Sequence, residues 1–287
     1  MQTTEFDKRQ ERLDGNSYRF GRNGEYEIIV ARRLAERKRA WAMVYRMYRE
    51  KGYAEPDTDG LWYGLYDALP QTTTFLVTRD GVEVATLTTV FDSEFGLPAD
   101  TVYKDELDAM RRNGRRLCEI VSLSSEEKDR RQCVEVLKHM FKVGYLMACK
   151  LSDATDFIIT VNPHHSSYYE KKLLFHRQGC ERSYQKVGGA AAVLLCLDLE
   201  TAPGRYVERY GLEEGSLGSH FLDSGTVSSS IWFLAGSITE EGLPDLMQWF
   251  RLKKPFVLTQ LNRSVSPFDV SQFRHEPCSA GICRLEF

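Results

Sequence analysis

The sequence predicts an α/β (α+β) fold, a mixed central sheet with helices on its faces, followed by a mostly helical C-terminal extension. Three observations predict it. Two β-branched runs, Thr74–Thr78 and Val82–Val90, flank Asp80-Gly81, the preferred two-residue turn of a β-hairpin. From Leu117 to Leu199, apolar strand-like runs are separated by segments with helical spacing. Beyond Thr201 the apolar strand runs cease, and a small, polar, glycine-containing stretch leads into helical pieces.

Residues 1–25 are charged and glycine-containing and read as a loose N-terminal arm. Tyr26 to Arg32 (YEIIVAR) reads as a strand, and about Arg33 to Lys51 as a helix that buries Leu34, Ala40, Trp41, Val44 and Met47. Gly52 stands where a helix C′ glycine is expected. The next loop is long and carries Tyr53, Trp62, Tyr63 and Tyr66, more rings than a solvated connection uses. It is either a lid packed on the core or a wall of a substrate pocket. After the hairpin come a short helix near Asp105–Arg112 and a strand over Leu117–Leu123. A long helix comes next, with Val134, Leu137, Phe141, Tyr145 and Ala148 on one face. Phe157–Val161 is a buried strand, and a helix ending by Gly179 leads to strands Ser183–Val187 and Ala190–Leu199. Residues 26–200 are thus expected to form the core and 201–287 the extension. There, Thr201 to about Ser230 reads as a linker, Thr239 opens a helix, and shorter helices cover 256–262 and 267–274.

With 38 basic and 41 acidic residues the net charge is −3, which excludes nucleic-acid binding by bulk electrostatics. An odd count of seven cysteines without a CxxC pair suits a reducing compartment, and the polar N-terminus has no leader-like apolar core, so a cytoplasmic protein is expected. His275, Cys278 and Cys283 approach a metal-ligand set but lack a second paired half, so no metal is expected. No apolar window reaches the length of a membrane span, and no membrane insertion is expected.

The chemistry points to the run Arg115–Lys150. Glu119 interrupts the apolar strand Leu117–Leu123, and a carboxylate there must be paired, solvated in a cleft or functional. Among Cys118, Ile120 and Val121 its pKa would rise toward the range of a useful general base. The alternative is a structural ion pair with Arg115 or Arg116. Tyr168 and Tyr169 join the aromatic loop as candidates for the pocket of an aromatic side chain, or are ordinary core. His164 or His165, at the start of their helix, is a candidate partner for a substrate carboxylate. Val134, Leu137 and Phe141 either line an acyl channel or pack the core.

The runs LPADTVYKDELDAMRRNGRRLCEIVSLS, FIITVNPHHSSYYEKKLLFHRQG and GGAAAVLLCLDL resemble the N-acyl amino acid synthases of soil bacteria, whose best-known members make long-chain N-acyl tyrosines. The resemblance spans roughly residues 26–199. It implies the GNAT-type acyltransferase fold, shared with the more distant acyl-homoserine lactone synthases. It also implies transfer of a long-chain fatty acyl group from the phosphopantetheine thioester of an acyl carrier protein to an amino acid's amine, tyrosine being the expected acceptor. No bound cofactor is implied. By the same resemblance Glu119 is the base, and backbone N–H groups around Val121, Ser122 and Leu123 hold the oxyanion and pantetheine. The turn SEEKDRRQC lacks the glycines with which acetyltransferases cradle the pyrophosphate of coenzyme A. Its Lys128, Arg130 and Arg131 suit an acidic carrier protein instead. Homoserine lactone synthases place an arginine three residues after the strand glutamate; Ser122 stands there here. Two other readings remain: an acyl-coenzyme A-dependent N-acyltransferase acting on another amine, and a non-catalytic acyl-carrier or lipid-binding module in which Glu119 is merely paired.

Overall fold

The computed structural model describes residues 12–14, 17–222 and 242–264. Its sheet has ten strands: β1 (Arg12–Asp14), β2 (Ser17–Phe20), β3 (Tyr26–Val30), β4 (Thr73–Arg79), β5 (Val82–Phe91), β6 (Leu117–Ser125), β7 (Asp156–Val161), β8 (His176–Arg177), β9 (Arg182–Tyr184) and β10 (Ala190–Asp198). They lie in the order β1-β2-β3-β4-β5-β6-β7-β10-β8, with β9 paired to β10. The Asp80-Gly81 turn joins β4 to β5 with both residues at positive φ, 52° and 80°, as a type I′ turn requires. Every pairing is antiparallel except β6 with β7. That parallel pair needs a crossover, supplied by the 22-residue helix α3 (Arg130–Leu151). This is the mixed sheet with flanking helices that the resemblance implies.

The two-residue period of β6 divides its side chains between two layers. Cys118 and Ile120 enter the larger core, under α3, with Val136, Met140 and Phe141. Leu117 enters a second core with Tyr103, Leu107 and Met110 of α2 (Asp100–Arg112) and with Ile158 of β7. Glu119, on the same side of the strand as Leu117, is therefore directed at the second layer.

The β6–β7 ladder runs from Leu117 opposite Asp156 to Ile120 opposite Ile159 and stops there, although β6 continues to Ser125. On its other edge β6 carries a bulge: Thr88 faces Val121 and Thr86 faces Ser124, so Leu87 spans both Ser122 and Leu123. Ser122 adopts φ 53°, the left-handed geometry of an inserted residue. The strands part and bend beside Glu119.

Several elements differ from expectation. Residues 17–20 join the sheet instead of forming part of a loose arm. Their alternation buries Tyr18 and Phe20, and Phe20 stacks on Tyr26 at 5.0 Å and on His139 at 4.0 Å. Helix α1 (Leu34–Glu50) ends before Gly52, at φ 71°, as predicted. Helix α2 begins at Asp100, not near Asp105, because the Asp100 carboxylate accepts the Leu97 N–H and grips Arg111. Helix α4 (Pro163–Lys172) ends before Gly179; that glycine's role is close packing, since a Cβ there would meet the Tyr103 ring at 2.8 Å. The expected strand 183–187 is cut short: β9 ends at Tyr184, and Gln185–Val187 is a 3-10 turn. The stretch expected as a linker forms helices α5 (Ala202–Tyr210) and α6 (Leu217–Leu222), which bury Tyr206 and Phe221 in the main core. The helix expected from Thr239 is α7 (Gly242–Lys253), with α8 (Pro255–Ser264) after it. Residues 239–241, the 267–274 helix and the His275, Cys278 and Cys283 set lie outside the described residues. No group of metal-ligating side chains occurs among the described residues, nor is any described helix long and apolar enough to cross a membrane.

One buried cation ties α1 to the aromatic loop and to the start of β4. Arg37, fully buried, donates to the carbonyls of Ala31 at 3.2 Å, Asp67 at 3.0 Å and Thr72 at 2.9 Å. Burial lowers its pKa to about 10, still far above neutrality. Arg37→Ala strands three carbonyls, and we expect it to lower the unfolding free energy by roughly 3–5 kcal/mol in urea denaturation. Lysine should not restore the loss, because one ammonium cannot replace a fork that spans three acceptors.

Candidate active site

Glu119 has no partner of opposite charge within salt-bridge distance among the described residues. Arg115 is taken by Asp156, Asp198 and Glu200, and Arg116 donates to the Asp153 carbonyl at 2.6 Å. The structural ion pair with either arginine is therefore not formed. The carboxylate instead accepts the Ala99 N–H at 2.8 Å, at the N-terminus of α2. With only 1% of its surface exposed, Glu119 is pushed up to about 8 by burial, while the Ala99 hydrogen bond pulls the other way. The Thr160 hydroxyl lies close enough to weigh on its charge without completing a hydrogen bond.

Glu119 opens onto a cavity of about 90 Å³ whose floor is Ile120, Val121 and Ser122 of β6. Trp62, Tyr63 and Tyr66 of the aromatic loop wall it, facing Tyr184 and Lys186. The loop is thus packed and pocket-forming at once. Tyr63 stacks on Trp41 at 4.7 Å and meets Phe250 of α7 edge-on at 5.5 Å. Lys254 donates to the Tyr63 carbonyl at 2.7 Å, and Lys253 pairs with Asp59. The C-terminal helices therefore brace the wall of the cavity. Burial, and after it the Glu119 charge, raises the pKa of both Tyr66 and Tyr184, so both phenols stay protonated.

The other residues singled out in the sequence fall elsewhere. Leu123 packs on the main core beside the bulge. Phe141 is buried against Tyr169 and Phe175, and Leu137 is half-buried on α3; neither lines the cavity. Tyr168 is half-buried against Tyr169, and His164 is exposed at the start of α4, both away from the Glu119 cavity. In the turn before α3 each acid has a local task. Glu126 pairs with Arg46, Glu127 with Arg79, and Asp129 caps the helix through the Arg131 and Gln132 N–H groups. Lys128, Arg130 and Arg131 stand exposed without an ion pair among the described residues. Sequence reasoning missed Asp67, Thr72, Thr160 and Lys186. The lysine fell inside the run Ser183–Val187, read as a strand, and only the structure shows it in a turn beside the cavity.

Residues 39–198 match the family model described as N-acyl amino acid synthase FeeM. Among solved structures, FeeM, an N-acyl amino acid synthase from uncultured soil microbes, is 24% identical with a TM-score of 0.56, over 62% of this chain and 93% of its own. The acyl-homoserine lactone synthase LasI is 14% identical with a TM-score of 0.46, over 62% and 93% of the respective chains. No curated protein matches the chain.

Because the folded state holds the Glu119 proton up to about pH 8, and an ordinary carboxyl only to about 4.5, stability should fall as pH rises between those values and level off above them. Glu119→Gln keeps an acceptor for the Ala99 N–H and removes the buried charge. Its melting temperature should match that of the native protein near pH 5 and exceed it by several degrees at pH 8. Parallel melting curves across that range would show that Glu119 does not carry a displaced proton.

Proposed function

Since the chain belongs to the N-acyl amino acid synthase FeeM family and is an N-acyltransferase, we propose that it moves a long-chain fatty acyl group from the phosphopantetheine thioester of an acyl carrier protein to the α-amine of an amino acid, tyrosine being the acceptor. The observation that carries this reading is the Glu119 carboxyl, buried beside the cavity where the β6–β7 ladder ends, without a counter-ion among the described residues and with its pKa raised by burial to about 8.

Attack of an amine on a thioester needs a neutral nitrogen, a proton acceptor and donors for the developing oxyanion. In the proposed reaction the amine lone pair forms the C–N bond to the thioester carbonyl, and Glu119 takes the proton that nitrogen sheds. Collapse of the tetrahedral intermediate breaks the C–S bond. The electron pair leaves on sulfur, and the proton passes to the departing thiolate. Backbone N–H groups of Val121 to Leu123, on an edge of β6 that β7 no longer covers, are suited to the oxyanion and the pantetheine amides. Trp62, Tyr63 and Tyr66 offer ring faces to an aromatic acceptor.

A carrier-protein donor fits the α3 N-terminus. Its turn has no glycine-rich cradle, and its acids are spent on Arg46, Arg79 and the helix cap. Lys128, Arg130 and Arg131 are then left to meet an acidic surface.

Purified protein given palmitoyl-loaded carrier protein and an equal mixture of amino acids should yield one N-acyl amino acid by mass spectrometry. Product only with acyl-coenzyme A and other amines would replace the donor and acceptor named here. Glu119→Gln should lower turnover about a hundred-fold with the fold intact. With a base near 8, native kcat should rise roughly tenfold from pH 7 to pH 9. Reversing Arg130 and Arg131 to glutamate should raise KM for the acyl carrier protein about tenfold at low salt and leave a pantetheine thioester donor unaffected.

A further inference from the structure

Lys186 sits in the 3-10 turn Gln185–Val187 between β9 and β10. The turn has little freedom. Gly188 and Gly189 come directly after it at φ 67° and 76°, and the Gly189 N–H returns to the Tyr184 carbonyl at 3.0 Å. A Cβ on Gly188 would meet the Gly52 carbonyl oxygen at 3.0 Å, so the turn lies against the end of α1. The lysine is exposed and has neither an ion pair nor a hydrogen bond among the described residues. It is also the one cation that lines the Glu119 cavity among those residues. The other nearby cations are occupied: Arg37 on three carbonyls, Lys254 on the Tyr63 carbonyl.

The carboxylates that feel its charge do not pair with it. Asp67 accepts from the Gly64 N–H at 2.8 Å and the Trp41 indole at 2.9 Å, and Glu119 accepts from Ala99. Neither lies within salt-bridge distance of the ammonium. The same cavity contains hydroxyls without a hydrogen-bond partner among the described residues, Thr72 Oγ1 and Thr160 Oγ1, both shielded from solvent. Buried polar atoms are rarely left unsatisfied unless a ligand or water completes them. A space lined by two carboxyls, and by a cation and hydroxyls without a partner among the described residues, suits the charged head of an amino acid better than a hydrocarbon chain.

We infer that Lys186 receives the α-carboxylate of the amino-acid acceptor and so distinguishes an amino acid from a simple amine. The inference rests on the acyl-transfer reading and deepens it: the acceptor's amine faces Glu119 while its carboxylate faces the β9–β10 turn. The amine and carboxylate of an α-amino acid share one carbon with its side chain, and the rings of Trp62, Tyr63 and Tyr66 lining the same cavity offer that side chain a third contact.

The test compares the native protein with Lys186→Met and Lys186→Arg on three acceptors: tyrosine, tyrosinamide and tyramine. A lost charge-assisted contact should raise KM for tyrosine roughly 10- to 100-fold in Lys186→Met, with kcat changed less than about threefold. KM for tyrosinamide and tyramine should hardly move, so the preference for tyrosine collapses, and Lys186→Arg should keep most of it. An unchanged preference in Lys186→Met, with tyrosine still acylated, overturns the role of the lysine alone. A rise in KM for the acyl donor in place of the acceptor also overturns it, and assigns the cation to the donor's phosphate. Native protein that acylates tyramine but not tyrosine overturns the acceptor reading itself and the lysine's role with it.

Discussion

The chemistry of this fold depends on a ladder that stops early. Strands β6 and β7 pair in parallel for four residues each and then part, while β6 runs five residues farther. A parallel pair must be bridged by a crossover, so α3 covers one face of the junction. On the other face the side-chain period delivers Glu119 to the N-terminus of α2. The bulge at Ser122 bends the same strand away from its neighbours. Cleft, buried carboxyl and uncovered backbone edge thus meet where one ladder of hydrogen bonds is interrupted.

Around that junction the protein satisfies its charges locally and leaves few uncompensated. Arg111 gathers Asp92, Asp100 and Asp108, which fixes the start of α2 and hence the N–H that holds Glu119. Arg115 gathers Asp156, Asp198 and Glu200 at the base of β6, away from the cavity. Glu126 and Glu127 are drawn to Arg46 and Arg79. Against that background Asp67, Glu119 and Lys186 stand out at the cavity as ionisable groups without an ion-pair partner among the described residues. Burial raises the pKa of both carboxyls, that of Glu119 to about 8.

The C-terminal helices belong to the architecture of the site. Leu246 and Phe250 of α7 and Val257 and Leu261 of α8 join Trp41, Tyr63 and Leu69 in a third apolar cluster behind the aromatic loop. A long loop rich in rings would otherwise have to order itself at a high entropic cost. Here two helices and the Trp41–Tyr63 stack hold it in place, so the cavity wall is preformed.

The local signals in the sequence were enough for the hairpin, the helix stop at Gly52, the apolar runs that make strands of β6, β7 and β10, and the single carboxylate in an apolar strand. Each is written in a few adjacent residues, because turn chemistry and side-chain period are short-range properties. Less legible were β2, whose aromatic alternation is hidden among charges, and α5 and α6, whose glycines and polar residues suggested a linker. Those segments are ordered by what they touch: His139 and Tyr26 for Phe20, the main core for Tyr206 and Phe221. The site shows the same division. The sequence by itself determined that Glu119 is a lone carboxylate in an apolar strand and that the family's strand–turn–helix is present. Only the tertiary structure decided that Arg115 and Arg116 turn away from Glu119, that Ala99 meets it, and that Thr72, Thr160 and Lys186 share its cavity. Those contacts join residues 20 to more than 60 positions apart in the chain, and no local pattern of side chains encodes a meeting that depends on how strands are ordered in the sheet.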